Sequence, residues 1–294
     1  LTVAYGMGTD STALLIEMVR RDLRPDLITF ADTGNEHPRT YAYLPIINAY
    51  LSQQGFPLVT VVRYVPKRFK HAPYSTLAGN CLSNSVLPSL VYGHKSCSFK
   101  WKAAPQEKYI LKFWKPGKQA VRAGIPIRRL IGYDAGNKDQ KRGAVKERPE
   151  FIYGYPLRIW GFDRQDCKAT ISQAGLPQPG ISACFFCPSC KPDELRALAI
   201  EHPELAARAI AIEDRAQPKL KKFAGLWRKG TKGTRNGRPK PGKWRVFLES
   251  CNLMPKLRPE HYQDSHVTNL PAPDHVEIFP YLYVNHYHAK PCNQ

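Results

Sequence analysis

The first 64 residues alternate apolar runs and amphipathic stretches in a fixed order, and that rhythm limits the fold more than any other feature. Residues 1–5 read as a short strand, followed by a glycine-bearing turn, Gly6-Met7-Gly8-Thr9-Asp10. Residues 11–21 read as a helix with Leu14, Leu15, Met18 and Val19 on one face. A second buried strand, 27–31, ends at Asp32-Thr33-Gly34. A helix follows over 38–53, then a third strand over 58–64. Strand, helix, strand, helix, strand implies parallel pairing through right-handed crossovers. The expected fold is therefore α/β, a doubly wound, Rossmann-like parallel sheet. Such sheets take ligands beyond the carboxyl ends of their strands, where Gly6–Asp10 and Asp32–Gly34 both fall.

Downstream the pattern loosens. Residues 67–100 read as irregular, 105–114 as a helix and 127–131 as a fourth strand ending at Gly132-Tyr133-Asp134-Ala135-Gly136. A helix is expected over 164–174, a cysteine-rich turn over 184–190 and helical structure over 192–215. Residues 219–245 form a basic, glycine-rich tract bracketed by Trp227 and Trp244, whose rings would stack on bases if the tract lies along nucleic acid. The expected division is a nucleotide-binding domain over 1–217 with an irregular basic extension over 218–294.

A chain of 294 residues that is 43% hydrophobic can bury a substantial core. No apolar run approaches the roughly 18 residues needed to cross a membrane. No secretory signal is evident, so a cytoplasmic protein is expected. The formal charge of +20 is unusual for a metabolic enzyme. It points to a nucleic-acid partner, a polyanionic substrate or a basic surface.

Strand, glycine turn and helix start together make an anion trap, because backbone N–H groups and the positive helix end face one point. Ser11 and Thr12 add hydroxyl donors. Asp10 is out of place in a pure anion site; it fits if Mg²⁺ neutralises it or if it caps the helix. A P-loop NTPase is disfavoured, since no Gly-Lys-Ser/Thr ends the loop. Of the eight cysteines, Cys184-x-x-Cys187-x-x-Cys190 is the densest group. The spacing suits an iron–sulfur cluster, structural zinc or reduced thiols. Cys97 is the first choice for a fourth ligand, with Cys167 and Cys81 in reserve, while Cys251 and Cys292 stand alone. His275, His286 and His288 crowd the end of the chain, where a surface strand is favoured over a metal site.

Tyr5-Gly-Met-Gly-Thr-Asp-Ser-Thr12 resembles the Ser-Gly-Gly-x-Asp-Ser-Thr signature of PP-loop adenine-nucleotide enzymes. Gly6 replaces the leading Ser, Met7 replaces a Gly, and Thr9 stands where thiolases often have Lys. Asp32-Thr-Gly-Asn-Glu-His-Pro-Arg-Thr40 is similar to the Asp-Thr-Gly-x-x-x-Pro-x-Thr segment of phosphoadenosine phosphosulfate (PAPS) reductases and their DNA-phosphorothioation relatives. The Gly132 turn, with Lys141 and Arg142 beyond it, resembles that family's Gly-x-Arg-x-x-Glu region. The resemblance spans roughly residues 1–200 and implies an adenine nucleotide alpha-hydrolase type of fold. It implies that ATP or a related nucleotide, with Mg²⁺, sits on Gly6, Met7, Gly8, Thr9, Asp10, Ser11, Thr12, Asp32, Thr33, Gly34, Gly132 and Arg142, with Asp10 and Ser11 catalytic. It supports a [4Fe-4S] cluster, or alternatively Zn²⁺, on Cys97, Cys184, Cys187 and Cys190, and a sulfur donor protein as partner. The implied activity supports sulfur transfer to DNA or tRNA. The alternatives are a sulfonucleotide reductase, against which the sequence context of Cys292 argues, and a nucleic-acid-binding module with a vestigial loop.

Overall fold

The computed structural model describes residues 1–140, 148–180, 182–230 and 240–263. The order β1 (Thr2–Ala4), α1 (Thr9–Arg20), β2 (Leu27–Asp32), α2 (Pro38–Gln53) and β3 (Val59–Arg63) follows the reading from sequence. With β4 (Ile127–Ile131) and β5 (Phe151–Gly154) these strands make a five-stranded, all-parallel sheet in the order β3-β2-β1-β4-β5. The chain moves outward from β1 to β3 and then returns to lay β4 beside β1. The direction of winding therefore reverses between β1 and β4, the position where such sheets open a ligand crevice.

All six residues of β2 are buried, as a strand covered on both faces requires. Ile28 and Phe30 pack with Leu14, Ile47 and Ile171 on one face, whereas Leu27 and Ala31 pack with Tyr109 and Ile110 on the other. Successive side chains of a strand point to opposite faces, so one sequence serves both layers.

The segment expected to be irregular contains α3 (Leu77–Asn84), a 3₁₀ turn (Ser89–Tyr92) and the short α4 (Ser96–Ser98). Its Gly, Asn and Ser content hid α3, which Thr76 caps by accepting the Gly79 N–H at 3.0 Å. A π-helical turn (Phe99–Ala103) leads into α5 (Ala104–Lys112), followed by α6 (Lys115–Arg122), α7 (Asn137–Gln140), α8 (Pro156–Ile159) and α9 (Arg164–Gln173). Residues 192–215 form two helices, α10 (Pro192–Glu201) and α11 (Pro203–Ala216). The break falls before Pro203, whose ring bars the preceding residue from helical geometry.

A second body of core lies among α3, α10, α11 and α12 (Trp244–Ser250), with Phe185, Phe186, Trp101, Trp227 and Trp244 buried in it. Trp227 is 5% exposed and Trp244 fully buried. Their rings are core residues, and the expected stacking role on bases is not available to them. Glu213 of α11 fastens this region. Its buried carboxylate accepts the backbone N–H groups of Leu226, Trp244 and Arg245 at 2.8, 3.0 and 3.1 Å. Among the described residues no helix is long and apolar enough to cross a membrane.

Candidate functional site

Three strand ends and one later segment meet at the carboxyl edge of the sheet. After β1 the chain turns through Gly6, Met7 and Gly8 into α1. The Gly6 and Gly8 N–H groups both point at one oxygen, the Ser11 hydroxyl, at 3.2 and 3.3 Å. That hydroxyl in turn donates to the Gly8 carbonyl at 3.1 Å. Two amides converging on a single acceptor at the positive end of a 12-residue helix are arranged as an anion site requires. Met7 has φ of 58°, a left-handed conformation unusual for a residue with a side chain. Its side chain is 1% exposed and belongs to the core with Tyr5 and Leu14, not to the open mouth of the loop. Thr9 and Thr12 are also buried, and the Thr12 hydroxyl pairs with Tyr5 Oη at 3.1 Å. Of the loop's hydroxyls, Ser11 is therefore the one at the converging amides.

The end of β4 fits against this loop with no room to spare. A Cβ on Gly132 would stand 2.7 Å from Ser11 Cα and 2.8 Å from Ser11 N. Just beyond, Asp134 and Asp139 bring carboxylate oxygens within 4.8 Å of those of Asp10. Among the described residues this is the group of three or more metal-ligand atoms gathered so tightly. The sequence reading named Asp10 but gave no role to Asp134 and passed over Asp139; the Gly132–Gly136 turn was the available signal. Burial raises the Asp10 carboxyl above its ordinary range, Asp134 and Asp139 add to the rise, and the Arg164 guanidinium opposes it. Arg164 reaches Asp10 at 2.5 Å. Three hard oxygen donors at one point suit Mg²⁺.

The end of β2 is organised from within. Asp32 is 3% exposed. Its Oδ1 accepts from Gly34 N at 2.8 Å and Tyr41 Oη at 2.7 Å, and its Oδ2 accepts from Arg63 Nε at 2.9 Å. Asp32 therefore shapes the turn. Gly34, at φ of 73°, lies so close to Thr76 that a Cβ would come within 2.6 Å of its methyl. Thr33 donates to the buried Glu36 carboxylate at 2.9 Å, and Lys102 closes an ion pair with the same carboxylate, also at 2.9 Å.

The cysteine turn is bolted to these loops. Ser182 donates to the Gly6 carbonyl, His37 N–H donates to Ala183 O at 2.9 Å, Glu36 and Cys184 form an antiparallel bridge, and Phe185 N–H donates to Asn35 O at 3.0 Å. Ser182, which the sequence did not single out, thus caps the β1–α1 loop. The turn itself repeats one geometry: Cys187 N–H donates to Cys184 O at 3.0 Å and Cys190 N–H to Cys187 O at 2.9 Å. Cys184 lies against Thr33 and Glu36, and burial and the Glu36 charge push its thiol well up. Burial likewise raises Cys187, with a smaller contribution from nearby Cys97. Cys97, Cys184, Cys187 and Cys190 therefore share one region, and Cys81 neighbours Cys97 there. Cys167 does not; it is buried in the core near Asp10 and Asp134, with its thiol pushed up to about 12 by burial and those charges.

The thiols stand wider apart than the Asp group. Tetrahedral zinc, with Zn–S bonds of about 2.3 Å, needs sulfurs roughly 3.8 Å apart. A four-iron cluster and structural zinc both draw on four cysteine thiolates. Arg142, Lys141, Lys232, Arg235, Arg238, His275, His286, His288 and Cys292 lie outside the described residues. No family model matches the chain, and no curated protein matches it.

Proposed function

We propose that the chain is an enzyme that holds ATP or a related adenine nucleotide by its phosphates at the β1–α1 loop and cleaves or transfers at that phosphate chain. The reading extends to sulfur transfer onto nucleic acid, DNA or tRNA. One observation carries it: the Gly6 and Gly8 amides converge on a single oxygen at the N-terminus of α1, beside three clustered carboxylates. A phosphate oxygen taking the place of the Ser11 hydroxyl would inherit both donors and the helix end. Asp10, Asp134 and Asp139 would hold Mg²⁺, which supplies positive charge against the phosphate oxygens when bound. Metal at Asp10 would release Arg164 from its ion pair, leaving a guanidinium within reach of the same phosphates. Catalysis in this reading is positioning and electrostatic stabilisation by preorganised donors. Cys97, Cys184, Cys187 and Cys190 would hold a [4Fe-4S] cluster, which supplies sulfur or electron chemistry. The loop–turn bridge at Glu36 and Cys184 supports a joint role for the two sites.

Isothermal titration of ATP with and without Mg²⁺ tests the first part. The expected result is Mg²⁺-dependent binding that Asp134→Asn weakens at least tenfold. An absence of ATP binding in protein of native circular dichroism overturns it. Anaerobic purification with iron, zinc and sulfide analysis tests the second: equimolar iron and sulfide supports the cluster, and zinc without sulfide rejects it.

A further inference from the structure

A cavity of about 470 Å³ opens where β3 ends, between residues 63–68 and α5. Arg63, Lys67, Arg68 and Lys108 line it together with Tyr64, Val65, Ala104 and Pro105, and no carboxylate is among them. Lys67, Arg68 and Lys108 are exposed. A further cation, Lys100, lies 5.0 Å from the Tyr64 ring centre. Phe99, next to it in the chain, is 62% exposed. Arg63 is tied to Asp32, which also holds the Gly34 N–H, so the cavity adjoins the β2 turn through a single ion pair.

Cations gathered in a hollow with low-dielectric walls concentrate anions there. Cations spaced along one strand end and the facing helix suit a run of backbone phosphates. The cavity has the size of a small-ligand pocket. Its volume accommodates a phosphate and a turned-in base. We infer that this basic cleft seats the phosphodiester backbone of a single-stranded stretch of nucleic acid. The inference rests on the reading that the acceptor is a nucleic acid, and it assigns the acceptor a place one ion pair from the nucleotide turn.

The test uses fluorescence anisotropy of a labelled 20-nucleotide single strand over a salt series. Each phosphate contact on a single strand contributes about 0.7 to the slope of log affinity against log salt, so losing three lowers the slope by about 2 and the affinity about 100-fold at 0.1 M salt. The Lys67→Ala/Arg68→Ala/Lys108→Ala protein should show both changes. A charge-keeping variant, Lys67→Arg/Arg68→Lys/Lys108→Arg, should bind within a few-fold of the parent. Charge removed elsewhere, in Arg24→Ala/Lys118→Ala/Lys168→Ala, should leave the slope within 0.5 of the parent. Equal slopes for the cleft and control variants, or a parent that ignores the strand, overturn the inference. So does loss of inorganic triphosphate binding in the cleft variant with its strand affinity intact, which would mark a small-anion subsite. Titration of Mg²⁺–ATP into the same proteins separates the two readings. The cleft variants should keep parental ATP affinity. A parent that binds no ATP yet shows the cleft-dependent slope refutes the nucleotide reading and leaves the cleft standing.

Discussion

Replacing Gly132 with alanine should displace the β1–α1 loop, and with it the proposed nucleotide site, while leaving the sheet intact. The new methyl would lie 2.7 Å from Ser11 Cα, 2.8 Å from Ser11 N and 3.1 Å from the Asp10 carbonyl carbon. These are backbone atoms at the start of α1, so no side chain can swing aside. An ordinary contact needs about 3.5 Å or more between carbon atoms, and the loop must therefore retreat by roughly 0.8 Å. Overpacking of this kind costs about 1–3 kcal/mol of stability. The larger effect falls on function, because a displacement near 1 Å in positioned groups can cost on the order of 100-fold. Gly6→Ala is the matched control. Its methyl meets only Ser11 Oγ at 3.7 Å and Ser182 Oγ at 3.9 Å, both ordinary contacts. Urea denaturation and ATP titration on the two proteins should separate them. The expected outcome is a loss of about 1–3 kcal/mol with at least 30-fold weaker ATP binding for Gly132→Ala, against a few-fold change for Gly6→Ala. A Gly132→Ala protein with parental stability and affinity would refute the claim that the end of β4 braces the loop.

Met7→Gly should destabilise the fold by about 1–4 kcal/mol, because removing a buried Met side chain costs about 2–5 kcal/mol and relief of the left-handed backbone returns only about 1 kcal/mol. A stabilised variant with tighter ATP binding would place the Met7 side chain in the loop mouth instead. Glu213→Ala strands three buried N–H groups at about 1–3 kcal/mol each, so a loss above 3 kcal/mol is expected by chemical denaturation, with Glu213→Gln less affected. His37 is held neutral, its pKa pushed down to about 4 by burial and by nearby His202 and Arg39, against a partly opposing Glu201. The unfolded chain, with an ordinary histidine near 6.5, takes up that proton first, so stability should fall as pH drops from 6.5 towards 4. His37→Asn, which keeps an N-cap acceptor for Arg39 N–H, should remove that part of the pH dependence of the urea midpoint.

The strand and helix order from 1 to 64 was legible because each element is written in local periodicity and the first two strands run into glycine turns. The boundaries of α2 and β4 agree with the reading residue for residue. β5 was not foreseen, since Phe-Ile-Tyr-Gly is short and follows no glycine turn of the earlier kind. In the site, sequence order disclosed the glycine turn after β1, the Asp32 turn and Gly132 as strand ends at one edge of the sheet. It could not disclose that Asp139 joins Asp10 and Asp134, because a contact between residues so far apart leaves no local pattern. The same holds for Ser182 over the loop and for Lys102 against Glu36. Trp227 and Trp244 misled for a related reason. Their basic neighbours suggested solvent, whereas the Glu213 carboxylate draws the surrounding backbone inward against α11.

The central place of β1 has a consequence for how the molecule is made. One flank of β1 is taken by β2 soon after synthesis, but the other waits for β4, whose Arg129 pairs with Thr2. Until then, a nascent chain presents the bare backbone of β1 as an unprotected pairing edge. Contacts this distant in sequence close slowly. Truncations ending before residue 127 should consequently be more prone to aggregate than those that include β4, and the strand that leads into the Gly6–Gly8 turn would be the adhesive surface.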